Sequence, residues 1–187
     1  MADNGQFFND LREPHITTDV AAVTLAATYK ALYPAAAFPV LGAGYFARPG
    51  KKLRIRVFGR MTTAATPGNL ELAVLYGTGA DNNGVNICAS AAVALVASGT
   101  NLSWEAEFFV HCRSIGATGT LFGTGSAKFP VGLILSTAQP ILIPASAPAV
   151  SGACDLTSAL ILSVQARRSG STAETMQVHD LEVTALN

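Results

Sequence analysis

Two segments of the chain alternate, residue by residue, between apolar and charged side chains. This period of two constrains the fold more than any other feature. In 51–62, Leu53, Ile55, Val57 and Met61 share one face, and Lys52, Arg54, Arg56 and Arg60 share the other. In 102–113, Leu102, Trp104, Ala106, Phe108, Val110 and Cys112 alternate with Ser103, Glu105, Glu107, Phe109, His111 and Arg113. Successive side chains of a strand point to opposite faces, so each segment predicts a strand with one face on a core and one toward solvent.

The rest of the chain extends the pattern. Residues 19–32 are expected to form one strand, with Val23, Leu25, Ala27 and Tyr29 on one face; threonines and the alternation favour strand over an alanine-rich helix. Thr66-Pro67-Gly68-Asn69 reads as a turn in which glycine supplies a positive φ. A strand through Leu70, Leu72, Val74 and Tyr76 follows, then a Gly/Asp/Asn-rich loop over 77–84. Further strands are predicted at 86–97, 118–123, 130–136, 141–143, 156–167 and 175–185, and no segment holds a helical period over 12 residues. Short strands with turn signals about every ten residues indicate an all-β sandwich or barrel. The long connections favour a jelly-roll-like antiparallel β-sandwich of about eight to ten strands, one domain over 19–187. Residues 1–18 are expected to be an extended N-terminal arm, polar and held extended before Pro14. The polar stretch 1–10 gives no expectation of a targeting leader.

Charge and chemistry narrow the function classes. Charged residues are 13% of the 187, against about 25% in an average domain. A surface this poor in charge is either covered by small neutral residues (Ala, Gly, Thr, Ser) or partly buried against other subunits, and both are expected. The net charge is zero, so nothing global marks a nucleic-acid binder. Cys88, Cys112 and Cys154 have neither C-x-x-C spacing nor histidines at metal-site spacing, and are expected to be buried, reduced thiols. The glycines from Gly116 to Gly125 match no phosphate-loop pattern and read as turns and a tight corner between strands. His15, His111 and His179 are far apart, and no G-x-S-x-G elbow is present. The expectation is a protein that is not an enzyme, with no catalytic residues, metal or cofactor. A small β-sandwich hydrolase or sugar-binding protein is the alternative, with Glu105/Glu107 or Asp180/Glu182 as its carboxylate pairs.

One cluster stands out. Arg48, Lys51, Lys52, Arg54, Arg56 and Arg60 are half of the 12 basic residues, and no carboxylate occurs between Asp19 and Glu71. This is a candidate contact surface for a partner. Glu105 and Glu107 share the i, i+2 spacing of Arg54 and Arg56, so a cross-strand ion-pair ladder is the other expectation. No aromatic residues are read as interleaved with this cluster, so direct nucleic-acid binding is not expected.

Several phrases resemble small virion structural proteins of tailed bacteriophages. They run from Pro49-Gly50-Lys51-Lys52-Leu53-Arg54-Ile55-Arg56 through Thr66-Pro67-Gly68-Asn69-Leu70 and Leu75-Tyr76-Gly77-Thr78. Asn101-Leu102-Ser103-Trp104-Glu105 and Arg113-Ser114-Ile115-Gly116-Ala117-Thr118-Gly119-Thr120 complete them. The resemblance covers about 45–125 and is one of pattern and order, with no chemical motif. It implies a jelly-roll capsid decoration (cement) or minor capsid protein. Such a protein would be a homotrimer in the virion, assembled in the host cytoplasm and bound to the major capsid protein. It also implies that Phe7, Phe8, Leu11 and Arg12 of the arm contact the shell. A tail, baseplate or receptor-contacting spike protein of similar build is the alternative.

Overall fold

The computed structural model describes residues 19–129, 140–147, 149–170 and 173–186. The strands are β1 (Val23–Thr24), β2 (Lys30–Ala31), β3 (Lys52–Thr62), β4 (Asn69–Gly77), β5 (Val85–Ala89), β6 (Val93–Ala94), β7 (Leu102–Ser114), β8 (Thr120–Lys128), β9 (Ile141–Ile143), β10 (Ile161–Arg168) and β11 (Thr175–Ala185). Among the described residues the only helical turn is the 3-10 turn Ala35–Ala37.

Two antiparallel sheets form the sandwich. One has the order β1-β11-β3-β7-β8-β9; the other has the order β2-β10-β4-β5, with β6 also paired to β4. The pairing is nested. The first strand pairs with the last (β1 with β11) and the second with the next to last (β2 with β10). Inside them, β3 pairs with β7 and β4 with β5. A long two-armed ribbon paired in this way rolls up so that β3 lies beside β11 and β4 beside β10. That is the path of a jelly roll. Strands β8 and β9 extend the larger sheet beyond β7.

The alternation places the core. Leu53, Ile55, Val57 and Met61 from β3, and Trp104, Ala106, Phe108, Val110 and Cys112 from β7, all point inward and are buried. They meet Leu70, Leu72, Val74 and Tyr76 of β4 and Leu162, Val164 and Ala166 of β10 in one cluster. Trp104 anchors it, stacked on Phe129 at 6.3 Å, with its indole N–H donating to the Arg60 carbonyl at 3.2 Å.

Several sequence expectations are corrected. Residues 19–32 are not one strand but two short ones, in different sheets, because the chain bends at Ala27–Thr28 to cross the sandwich. The predicted strand 86–97 is split into β5 and β6, with Ser90 between them. Its hydroxyl accepts from the Leu72 N–H at 3.0 Å, and its own N–H donates to the Leu72 carbonyl at 2.8 Å. Strand β10 begins at Ile161, after a turn built around Asp155. Gly68 does not have a positive φ. It is glycine because a Cβ there would lie 1.7 Å from the Ser169 carbonyl oxygen. Gly123 and Gly125 lie within β8, not in a corner, and β8 runs well past the predicted 118–123. They let β8 pack closely: a Cβ on Gly123 would lie 2.5 Å from the Cys88 sulfur, and one on Gly125 2.2 Å from the Glu107 carbonyl oxygen. The predicted strand 130–136 lies outside the described residues.

Candidate interaction face

The outer face of the larger sheet gathers the charged residues that the alternation turned outward. Its central rung is Glu182 of β11, Arg56 of β3 and Glu107 of β7. Arg56 lies 3.5 Å from Glu107 and 3.7 Å from Glu182. One rung away, Arg54 donates to Glu182 at 2.6 Å, and the Thr184 hydroxyl donates to the same oxygen at 2.8 Å. The Thr184 hydroxyl and both arginines hold the Glu182 carboxyl below the ordinary carboxylate range. The expected ladder therefore forms at Arg56–Glu107 only. Arg54 faces Phe109 across the β3–β7 pairing and finds its acid on β11, while Glu105 bonds to Lys128 of β8.

The same face carries aromatic rings. Phe58 of β3, Phe109 of β7 and Phe122 of β8 are half-buried and point outward. Each lies under a cation: Arg56 over Phe58 at 5.1 Å, Lys52 over Phe109 at 4.6 Å and Arg113 over Phe122 at 4.4 Å. His111 meets the Phe122 ring edge-on at 6.0 Å. The reading that no aromatics interleave with the basic cluster is thus corrected. Phe58 sits between Arg56 and Arg60 in the outward register, a signal already present in the sequence, and the neighbouring strands supply the other two rings. Leu142 of the edge strand β9 stands on this face opposite Ser126, 74% exposed.

The structure divides the six predicted basic residues into three groups. Arg54 and Arg56 belong to the ion-paired middle. Arg60 lies toward the far end, donating to the Asn101 carbonyl at 3.0 Å. Arg48, Lys51 and Lys52 lie at the near end. There the turn 48–51 is fastened to β7, with the Gly50 N–H donating to the Cys112 carbonyl at 2.8 Å and the Cys112 N–H to the Lys51 carbonyl at 2.8 Å. Cys112 is flanked on its strand by His111 and Arg113, which therefore join this basic end. Phe7, Phe8, Leu11 and Arg12 lie outside the described residues, as does His15.

Elsewhere little chemistry converges. A hollow of about 160 Å³ lies between Arg56, Phe58, Glu105, Glu107, Ser126 and Lys128. It is smaller than the roughly 300–1,000 Å³ of small-molecule sites, and both of its carboxylates are ion-paired. A wider open groove of about 900 Å³ runs between residues 19–23, the 34–37 turn and the loop 78–81. Seven of its 15 lining residues are alanine; its two carboxylates, Asp19 and Asp81, are bonded to His179 and Lys30 at 2.8 and 2.6 Å. The three cysteines are free and buried, and desolvation pushes all three thiols up, Cys88 to about 12. Among the described residues no group of three His, Cys, Asp or Glu side chains could hold a metal ion. Comparison with protein-family models, with curated proteins and with solved structures finds no match to this chain.

Proposed function

We propose that this chain is a structural subunit that works by assembly: a virion capsid decoration protein, acting as a homotrimer on a phage head shell and carrying out no catalysis. The observation that supports this best is the outer face of the larger sheet. Three half-buried phenylalanines and the arginines Arg54, Arg56 and Arg113 share one face of the sheet. Aromatic residues and arginine are the types enriched in the cores of protein interfaces. The four carboxylates of this face (Glu105, Glu107, Asp180 and Glu182) partly neutralise its cations, so a partner can cover it without stranding a large net charge. The nested jelly-roll path and the pattern resemblance over 45–125 agree with a virion role.

The mechanism is mass action. A subunit that binds only the assembled shell stabilises that state, by an amount set by its concentration relative to its dissociation constant. A stable contact of this kind buries on the order of 1,200–2,000 Å² in total. The reading is tested by co-sedimenting the purified protein with empty phage head shells assembled from the major capsid protein of the same phage. Saturable co-sedimentation, with a raised shell disruption temperature, is expected. A protein that stays in the supernatant at every concentration contradicts it.

A further inference from the structure

The basic end of the larger sheet differs from its middle in that its strands carry no acids among the described residues. The last acidic rung is Glu182–Arg56–Glu107. Lys52 and His111, paired across β3 and β7, lie four residues further on, about 13 Å along the strand. Arg48 and Arg113 enter no ion pair among the described residues. Asp155, in a turn tied to this end by the Leu156 N–H donating to the Gly116 carbonyl, is taken up by the Thr157 and Ser158 hydroxyls at 2.5 and 2.6 Å. Like charges are thus crowded together. Burial and then Arg48 lower the Lys51 ammonium's affinity for its proton. Burial, then Lys52 and Arg113, do the same to His111. Two large apolar side chains are exposed at this end of the sheet: Ile115, just past the end of β7, and Leu186, whose N–H donates to the Lys52 carbonyl at 3.0 Å.

We propose that this end, with Arg48, Lys51, His111 and Arg113 set around Ile115 and Leu186, is a docking surface for an acidic protein partner. The Tyr45 ring lies under Lys51 at 3.7 Å and the Phe122 ring under Arg113, but no carboxylate among the described residues pairs with Arg48, Lys51 or Arg113, and an acidic partner supplies one. The apolar side chains select protein over nucleic acid, because a phosphate backbone cannot cover Ile115 and Leu186. A nucleic-acid strand continuing along the sheet would also meet Glu107 and Glu182. The proposal rests on the assembly reading only for the identity of the partner as a shell subunit; the chemistry of the surface stands on its own geometry.

The test uses two matched single reversals on one sheet. Arg113→Glu lies at the basic end, and Arg60→Glu lies toward the other, eight residues along β3 from Lys52, about 27 Å. The probes are fluorescent poly-L-glutamate and poly-dT, each measured by anisotropy, with circular dichroism confirming that every variant is folded. Poly-glutamate is expected to bind the unaltered protein, and to weaken about threefold with Arg113→Glu and about tenfold with Arg48→Glu/Arg113→Glu. Arg60→Glu should change binding less than about twofold, being beyond the roughly 10 Å screening length at 0.1 M salt. The His111 imidazole, faced by Lys52 from β3, Arg113 on its own strand and the Phe122 ring from β8, should gain a higher pKa when the probe binds, read by NMR. No binding of poly-glutamate, equal losses for Arg60→Glu and Arg113→Glu, or tighter binding of poly-dT would overturn the proposal. A second arm repeats shell co-sedimentation. If the unaltered protein fails to sediment, the assembly reading falls, and the surface is judged on poly-glutamate alone. If the unaltered protein and Arg48→Glu/Arg113→Glu sediment equally, the docking surface is wrong and the assembly reading stands.

Discussion

The outer faces of the two sheets are built by opposite rules. On the larger sheet every outward position of β3 and β7 keeps some contact with solvent, and charge alternates with buried apolar residues. On the smaller sheet the central strands are buried on both sides. Leu72 through Gly77 and Ile161 through Ala166 are continuous buried runs. Ala73 and Leu75 point away from the main core into a second cluster with Tyr29. Ser163 and Gln165 are buried there as polar side chains. Gln165 is satisfied by the loop between β4 and β5: its amide donates to the Ala80 carbonyl at 2.9 Å, and its carbonyl accepts from the Asn82 N–H at 2.9 Å. Glu71 is likewise enclosed: the Tyr29 hydroxyl donates to one of its oxygens, and the Arg167 Nη2 donates to both, at 3.0 and 2.8 Å. One sheet is therefore closed by its own loops, while the outer face of the other is left partly open to solvent among the described residues.

The contrast can be broken by substitution. Phe108 and Phe109 are neighbours on β7, one facing the core and one the outer face. Phe108→Ala should cost about 3–5 kcal/mol in urea unfolding, whereas Phe109→Ala should cost about 1 kcal/mol or less through loss of its Lys52 contact; comparable losses would mean that the outer face is a second core. Gln165→Ala strands the Ala80 carbonyl and the Asn82 amide. It should cost about 1–3 kcal/mol and speed hydrogen exchange at Asn82. An unchanged exchange rate would show that the loop does not close this sheet. A double-mutant cycle on Arg54 and Glu182 should give a coupling of about 1 kcal/mol or less that fades in salt; the Arg167–Glu71 pair, with Glu71 more enclosed, should couple more strongly. The smallest effect is in pH. Because the folded pKa of Glu182 is depressed, its contribution is present above its ordinary value of 4.5 and lost as pH falls through the folded value. Glu182→Gln should therefore flatten part of the acid-side fall in melting temperature, and an unaltered acid limb would place the titrating acids elsewhere.

The same contrast explains what was legible in the sequence. The strands 51–62, 102–113 and 175–185 were readable because one face of each meets solvent, which forces alternation. Alternation reports which side chains face the core, not which sheet they enter. For that reason Leu25 and Tyr29 read as one strand although a bend separates β1 from β2. Acidic partners for Arg54 and Arg56 were foreseeable from charge and spacing, but not their identity. The β3–β11 register, which brings in Glu182, is set by the closing of the jelly roll across the length of the chain. Gly68, Gly123 and Gly125 looked like turn residues because what requires them is close approach by other segments, Ser169 after β10, Cys88 of β5 and Glu107 of the neighbouring β7, which the local sequence does not display. The basic end was half visible, as Arg48, Lys51 and Lys52; His111 and Arg113 join it only through the β3–β7 pairing.

The proposed function is one of assembly with further copies and with a shell. It is tested most directly by the mass of the protein in solution, measured by sedimentation equilibrium over a range of concentrations and again with shells added. A homotrimeric decoration protein gives a species of three times the 19.3 kDa chain that moves into the shell fraction when shells are present. A species that stays at 19.3 kDa at every concentration and remains free of shells would contradict it.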